Sequence, residues 1–390
     1  MRMVQSVGTM ALARLGKCCR SLVRESSKGL FCGILQPGVI EGCIGAKRHL
    51  LSEDIIKLQD FQQRKLAVAH LAYGSKGNYF ELFSQKLQKN ELILRDELKL
   101  LLHLCQSADD LVVARDALYR YHAENRNLLY GDFKFGPLFM RQCYELGMED
   151  LAASTLIDKN MSGFFRDTTS FNIAIDMLFT KGSYGDAVEV LRTMNSQGIK
   201  FNKDTLILAS GTCYKLDTAE SHRICNALIE EGHSIGNFIP RHAYCFAVAL
   251  ALRQSDTEKA KSLYSQIMNT DSRLCQNLKV ALLITAGELK DAISMLSAAL
   301  SLNSPAFVKR LEFSQELMEM LRLQTEDGSL MLKVERIVTQ LERAGQVTLH
   351  TLDDMLCHTP SGRRNPAPIA MERRTSRRTL KPLQSTLLLE

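Results

Sequence analysis

The 390-residue chain has no tryptophan, and aromatic side chains make up only 7% of it. Proline is scarce where it would interrupt structure. Of eight prolines, Pro360, Pro366, Pro368 and Pro382 crowd into the last 31 residues, leaving only Pro137, Pro240 and Pro305 between Leu50 and Thr359. Proline removes a helix hydrogen bond, so such a stretch favours helix throughout. No CxxC pair occurs among the eleven cysteines. Seven of them are scattered singly, at Cys105, Cys143, Cys213, Cys225, Cys245, Cys275 and Cys357. That pattern suits reduced cysteines acting as small core residues of an intracellular protein. No apolar run can span a bilayer: the longest, around Leu30 to Ile40, is broken by Gly33, Gln36 and Pro37. Also missing are HExxH, GxSxG, a Walker A loop and GxGxxG, the commonest hydrolytic and nucleotide-binding motifs. The nine histidines show no metal-ligand spacing, and the pair His242 and Cys245 is read as a helix-face coincidence. No catalytic residue, metal ligand or cofactor is expected.

What is present is globular: 45% hydrophobic and 24% charged residues. The net charge of +6 is unevenly spread. Residues 1–49 carry +6 and residues 360–390 carry +5, which leaves the body, 50–359, at −5. A uniformly basic nucleic-acid surface is thereby excluded, while a local basic stripe is not. Before Glu25 there is no acid, yet Arg2, Arg14, Lys17, Arg20 and Arg24 are there. This is the balance of a mitochondrial transit peptide, expected over 1–49 with cleavage near Lys47–Leu51.

A repeat emerges in Asp167 to Asn202. Phe171, Ala174, Ile175 and Leu178 fall at i, i+3, i+4 and i+7, one apolar face of a helix that Asp167 or Thr168 can cap. Gly182 and Gly185 break it. A second helix follows with Ala187, Val190, Leu191 and Met194 in the same spacing, Asp186 and Glu189 at capping-box distance, and Gly198 as its stop. Stepping back 35 residues from Gly182, Ala187 and Leu191 gives Gly147, Ala152 and Leu156, and a further step gives Ala117. Forward, the second-helix alanines are taken as Ala219, Ala260 and Ala292. Such hairpins must stack to bury their faces, so the expected fold is all-α, a right-handed α-solenoid with helical flanks. Long helical patterns run over Ser52–Tyr73, Tyr79–Cys105, Phe307–Leu323 and Leu330–Ala344. Asp109-Asp110 and Asp353-Asp354 read as helix starts. The C-terminal helices either cap the array or dock a partner.

Ser170-Phe171-Asn172, the Gly182 turn, Asp186-Ala187, Met194 and Gly198-Ile199-Lys200-Phe201-Asn202 closely resemble the pentatricopeptide repeat. Phe201 and Asn202 depart from that family's usual proline and aspartate. The resemblance covers 132–301, with 167–202 its best unit, between an N-terminal helical region (50–131) holding a degenerate repeat and a C-terminal helical cap (302–359). The remaining 360–390 reads as a basic disordered tail. Period-34 tetratricopeptide repeats fit worse, lacking their tryptophan and closing proline.

The resemblance implies that first helices line a concave face and that each repeat addresses about one base of single-stranded RNA. The family's selecting positions fall on Asn172 and Asn202, a pair that usually favours pyrimidines. Neighbouring units offer Pro137 with Asp167 and Ile207 with Asn237, and neither Pro137 nor Ile207 has a hydrogen-bonding side chain. Asn172, Asn202, Asp167, Lys200 and Lys203 are therefore the candidate RNA contacts, with Lys181 and Arg192 as further cations. The alternative is local: Asn202 and Asn172 as helix-end residues, and the lysines as a solvated face. The Arg-rich tail stands equally between electrostatic RNA contact and a solubilising role. No appended deaminase or nuclease signature accompanies the repeats. The expected function is a noncatalytic factor of the mitochondrial matrix that binds single-stranded mitochondrial RNA and supports transcript maturation or stability, partnered by a separate nuclease or other processing protein. A protein–protein scaffold is the competing reading.

Overall fold

The computed structural model describes residues 49–71, 76–124, 133–301, 310–325 and 330–359. The expected leader and basic tail lie outside the described residues, apart from His49. Helices alternate along the chain: α1 (Glu53–Ile56), α2 (Leu58–Leu71), α3 (Lys76–Gln88), α4 (Arg95–Leu104), α5 (Ala108–Glu124), α6 (Phe135–Leu146), α7 (Glu149–Ile157), α8 (Thr168–Lys181), α9 (Tyr184–Ser196), α10 (Lys203–Leu216), α11 (Ala219–Ser234), α12 (Arg241–Arg253), α13 (Thr257–Ser265), α14 (Arg273–Thr285), α15 (Leu289–Ser301), α16 (Gln315–Thr325), α17 (Met331–Arg343) and α18 (Leu352–Leu356). A two-residue parallel pair, β1 (Phe313–Ser314) with β2 (Val347–Thr348), ties the last hairpin together.

The protein is an α-solenoid. Even-numbered helices from α4 to α14 form one layer, each packing on the next, and α16 continues it. Each is followed by an antiparallel partner from the odd-numbered set. The best unit folds as its residues dictate. Asp167 caps α8, its carboxylate accepting the Ser170 amide at 2.8 Å. Gly182, at φ 91°, takes the left-handed conformation that turns the chain into α9. After α9, the Ile199 amide reaches back to the Met194 carbonyl at 3.1 Å. The alanines Ala117, Ala152, Ala187, Ala260 and Ala292 are all buried, so adjacent helices approach closely there. Ion pairs such as Arg192–Glu220 (2.9 Å) and Lys259–Glu230 (2.7 Å) link the outer helices, but exposed pairs of this kind contribute little.

Several sequence expectations are corrected. Ala219 is exposed, and the small residue packed inside α11 is Ser221, which Thr218 caps. Its hydroxyl is consumed by the cap, so a polar residue can stand where the pattern asked for alanine. Helix α9 begins at Tyr184 with Ser183 before it, so Gly185 lies inside the helix and Asp186 and Glu189 make no capping box. The pattern from Ser52 is split at Lys57, which adopts φ 54°. That from Tyr79 is split by Asn90, at φ 58°, and a non-helical stretch to Leu94. Of the pattern over Phe307–Leu323, Phe307 to Lys309 lie outside the described residues, and the described part turns helical only at Gln315, because Phe313 and Ser314 pair with the strand after α17.

Three inner helices are enclosed on nearly every side. Ser170–Phe179 of α8, Ala243–Leu252 of α12, and Asp204–Tyr214 of α10 apart from Ile207 are buried. Two-layer packing alone leaves the inner helices one open side. Here that side is covered by the chain itself. Residues from His49 into α1 lie on α8, and α18 lies on α12 and α14.

Candidate nucleic-acid interface

The candidate residues gather at the junction of two repeats. Asn202 caps α10, its Oδ1 accepting the Thr205 amide at 2.8 Å. The Asn172 Nδ2 donates to the same oxygen at 3.2 Å. The Thr205 hydroxyl, with one proton to give, sits 2.8 Å from Asn172 Oδ1 and 2.9 Å from Asn202 Oδ1. The two amides named from sequence are thus brought together, but they spend their bonding on each other and on Thr205. Asn172 is only 1% exposed. A base could be read there only after this knot opened. Asp167 is half-buried and committed to Ser170, through both its amide and its hydroxyl.

Lys200 and Lys203 are exposed beside the junction. Lys203 flanks the carboxylate of Asp204, which burial raises above the ordinary range and the lysine pulls back. The other two cations of this neighbourhood are already engaged, Lys181 with Asp150 at 2.6 Å and Arg192 with Glu220.

Positions equivalent to Asn172 recur every 35 residues as Ile207, His242 and Asn277. The latter two hold the protein's own C-terminal backbone. His242 Nε2 donates to the Leu356 carbonyl at 2.6 Å while its ring stacks on Phe246. Asn277 donates to the Glu312 carbonyl and accepts the Ser314 amide, both at 2.8 Å. His242 therefore owes its place to Leu356 rather than to Cys245. The sulfur of Cys245 faces that of Cys275 at 3.7 Å.

A second series, also at steps of 35, runs Arg141, Asp176, Gly211 and Phe246. Its first three members receive the N-terminal segment. Asp176, fully buried, accepts the amides of Leu50 (2.8 Å) and Leu51 (3.1 Å) on Oδ1, and His49 Nδ1 lies 2.9 Å from Oδ2. The Tyr144 hydroxyl sits 3.0 Å from the same imidazole nitrogen. Burial, then the charge of Asp176, pushes that phenol far above its ordinary range. Arg141 donates to the Ile56 carbonyl. At Gly211 the approach is so close that an added Cβ would stand 2.7 Å from Leu50 Cδ1. Neither Asp176 nor this docking was anticipated. The available signal was an acid set within FNIAIDMLF, a segment in which Asn172 is the one other polar residue.

A family model described as mitochondrial 28S ribosomal protein S27 matches residues 30–227. Pentatricopeptide repeat-containing protein 2, mitochondrial, of Danio rerio is 50% identical over 383 residues, covering 98% of this chain and 100% of its own. The proteins of the same name from Xenopus laevis and Homo sapiens are each 47% identical, over 88% and 89% of this chain and 91% and 90% of theirs. With half of its residues retained along nearly the entire length, the chain belongs to the family of mitochondrial pentatricopeptide repeat-containing protein 2.

Proposed function

We propose that this protein is a noncatalytic RNA-binding factor of the mitochondrial matrix, supporting maturation, processing or stability of mitochondrial transcripts and hence respiratory-chain function. Its ligand is single-stranded RNA, and a separate nuclease or other processing protein performs the chemistry. The observation that carries this reading is the Asn172–Asn202 pair. The two amides of one unit meet within 3.2 Å where it joins the next, with Lys200 and Lys203 exposed beside them. Once their bonds to each other and to Thr205 open, such amides offer both donor and acceptor to a base edge, and the lysines supply charge for the backbone. The relatives' printed names support a mitochondrial setting.

Ultraviolet crosslinking in intact mitochondria, followed by sequencing of the attached RNA, tests the proposal. Recovery of no RNA above background would sink it. The site itself is tested with Asn202→Asp, which preserves the helix cap because aspartate is as good a cap as asparagine. Base preference should change while the melting temperature does not. An unchanged preference would mean that the amides only join repeats.

A scaffold role is favoured by a different observation. Ile235, Phe238 and Met268, exposed by 63%, 80% and 100%, sit on the connections that follow α11 and α13. Large apolar side chains so exposed mark protein contacts when they lie together. Phe238→Asp with Met268→Asp should then abolish a protein association while leaving crosslinked RNA unaltered.

A further inference from the structure

The two cations at the C-terminal ends of α10 and α12 are held by a single carboxylate. Lys215 Nζ lies 2.6 and 2.8 Å from the two oxygens of Asp353, and an Arg253 nitrogen lies 3.8 Å from one of them. The Arg253 guanidinium carbon lies over the Tyr214 ring, 3.9 Å from its centroid, and the side chain donates to the Tyr214 carbonyl at 3.3 Å. The guanidinium is thus positioned by α10 and needs nothing from Asp353 to stay there. Asp353 comes from α18, a helix of five residues that could not persist by itself. It is retained by its Thr351 cap, by His242 on the Leu356 carbonyl, by burial of Met355 and Leu356, and by this ion triad. Other acids stand nearby: Glu316, whose oxygen accepts the Leu352 amide at 3.2 Å, Asp354 on α18 itself, and Asp217, bonded to Gln254 beside Arg253.

We propose that Lys215 and Arg253, the latter seated on Tyr214, form a phosphodiester-binding cradle for single-stranded RNA, which Asp353 of α18 occupies as an internal anionic substitute. This rests on the RNA-binding function proposed above. A carboxylate and a phosphate present similar forks of anionic oxygen to a guanidinium and an ammonium, so one can replace the other. Departure of α18 has a second effect. It frees His242, which occupies the same repeat position as Asn172 two units earlier, and so uncovers a donor for a base edge together with the cradle for its backbone. RNA and α18 exclude each other. The closed array is the resting state, and the ligand competes with a short helix for the inner face.

The full chain is tested by fluorescence anisotropy with a labelled oligouridine across a range of salt concentrations. In Asp353→Asn, with its melting temperature measured alongside, affinity rises about tenfold. The log–log salt slope steepens by about 1.4, two contacts at about 0.7 each for a single strand. Adding Lys215→Gln to that variant removes most of the gain. Leu356→Asp, which dislodges α18 from its buried seat and leaves residues 360–390 in place, behaves as Asp353→Asn does. In the unaltered protein, adding the oligouridine accelerates amide exchange at Met355 and Cys357, whose amides bond within α18. If the unaltered protein binds RNA with no such acceleration, and both variants keep its affinity and slope, the inference is overturned and the RNA function stands. If neither the unaltered protein nor the variants bind RNA, the function falls and the cradle with it. Gain of binding to oligoglutamate but not to RNA overturns it in favour of an acidic protein partner.

Discussion

Replacing Asp176 isolates the energetics of the N-terminal docking. Asp176→Ala removes the acceptor of the Leu50 and Leu51 amides. A buried donor left without a partner costs about 1–3 kcal/mol. Two such donors give about 2–6 kcal/mol, offset in part because a buried carboxylate no longer has to be desolvated. We expect a net loss of about 3 kcal/mol from the docked state. Both amides bond the same oxygen, Oδ1, so Asp176→Asn retains the acceptor and loses only its charge, which costs about 1 kcal/mol. Leu50 and Leu51 remain buried in either variant, each contributing about 1.5–3 kcal/mol of apolar burial that opposes release. The assay is amide hydrogen exchange at Leu50 and Leu51. A 3 kcal/mol change corresponds to roughly a hundredfold faster exchange through local opening, against about fivefold for the asparagine. Equal exchange in the alanine variant and the unaltered protein, or equal acceleration in both variants, would refute the hydrogen-bond account.

Gly211→Ala should push Leu50 away from α10, lowering stability by about 1–3 kcal/mol in thermal melts. Leu50→Ala in the same chain should relieve part of that loss, and purely additive effects would argue against the contact. Burial holds His242 below its ordinary pKa, with Arg241 and His358 adding to the effect and the Leu356 carbonyl opposing it. The unfolded chain therefore takes up this proton first as pH falls below 6.5, so stability should drop through that window. His242→Gln should flatten the dependence in urea titrations at successive pH values. A slope unaffected by this change would place its origin in another group.

The helical hairpin was legible because its determinants are local. Asp167, Gly182 and Gly198 each act within one turn of helix, and the apolar spacing of Phe171 to Leu178 needs no distant partner. Ala219 misled because a capped Ser221 is as compact as alanine, a fact that depends on the Thr218 hydroxyl rather than on hydrophobicity. Asn172 and Asn202 could be named as a pair from repeat register, yet their commitment to Thr205 depends on side-chain rotamers that no spacing encodes. The covering of the inner face was wholly out of reach. His49 meets Asp176 across 127 positions and Lys215 meets Asp353 across 138, and neither pair leaves a periodic trace.

The N-terminal docking on Asp176 and Gly211 also sets an order of assembly. An open array of hairpins is nearly one-dimensional: units exchange energy only with neighbours, and the ends can fray without disturbing the middle. Fastening residues 49–51 to α8 and α10 turns that ladder into a closed loop of contacts. Fraying from the N-terminal side is suppressed, and the first half of the chain melts as one cooperative block. The cost is kinetic. In a chain that emerges N-terminus first, Leu50 must wait until Gly211 has appeared, and long sequence separation slows such a closure. The last step of folding for this half of the molecule is therefore the return of its beginning.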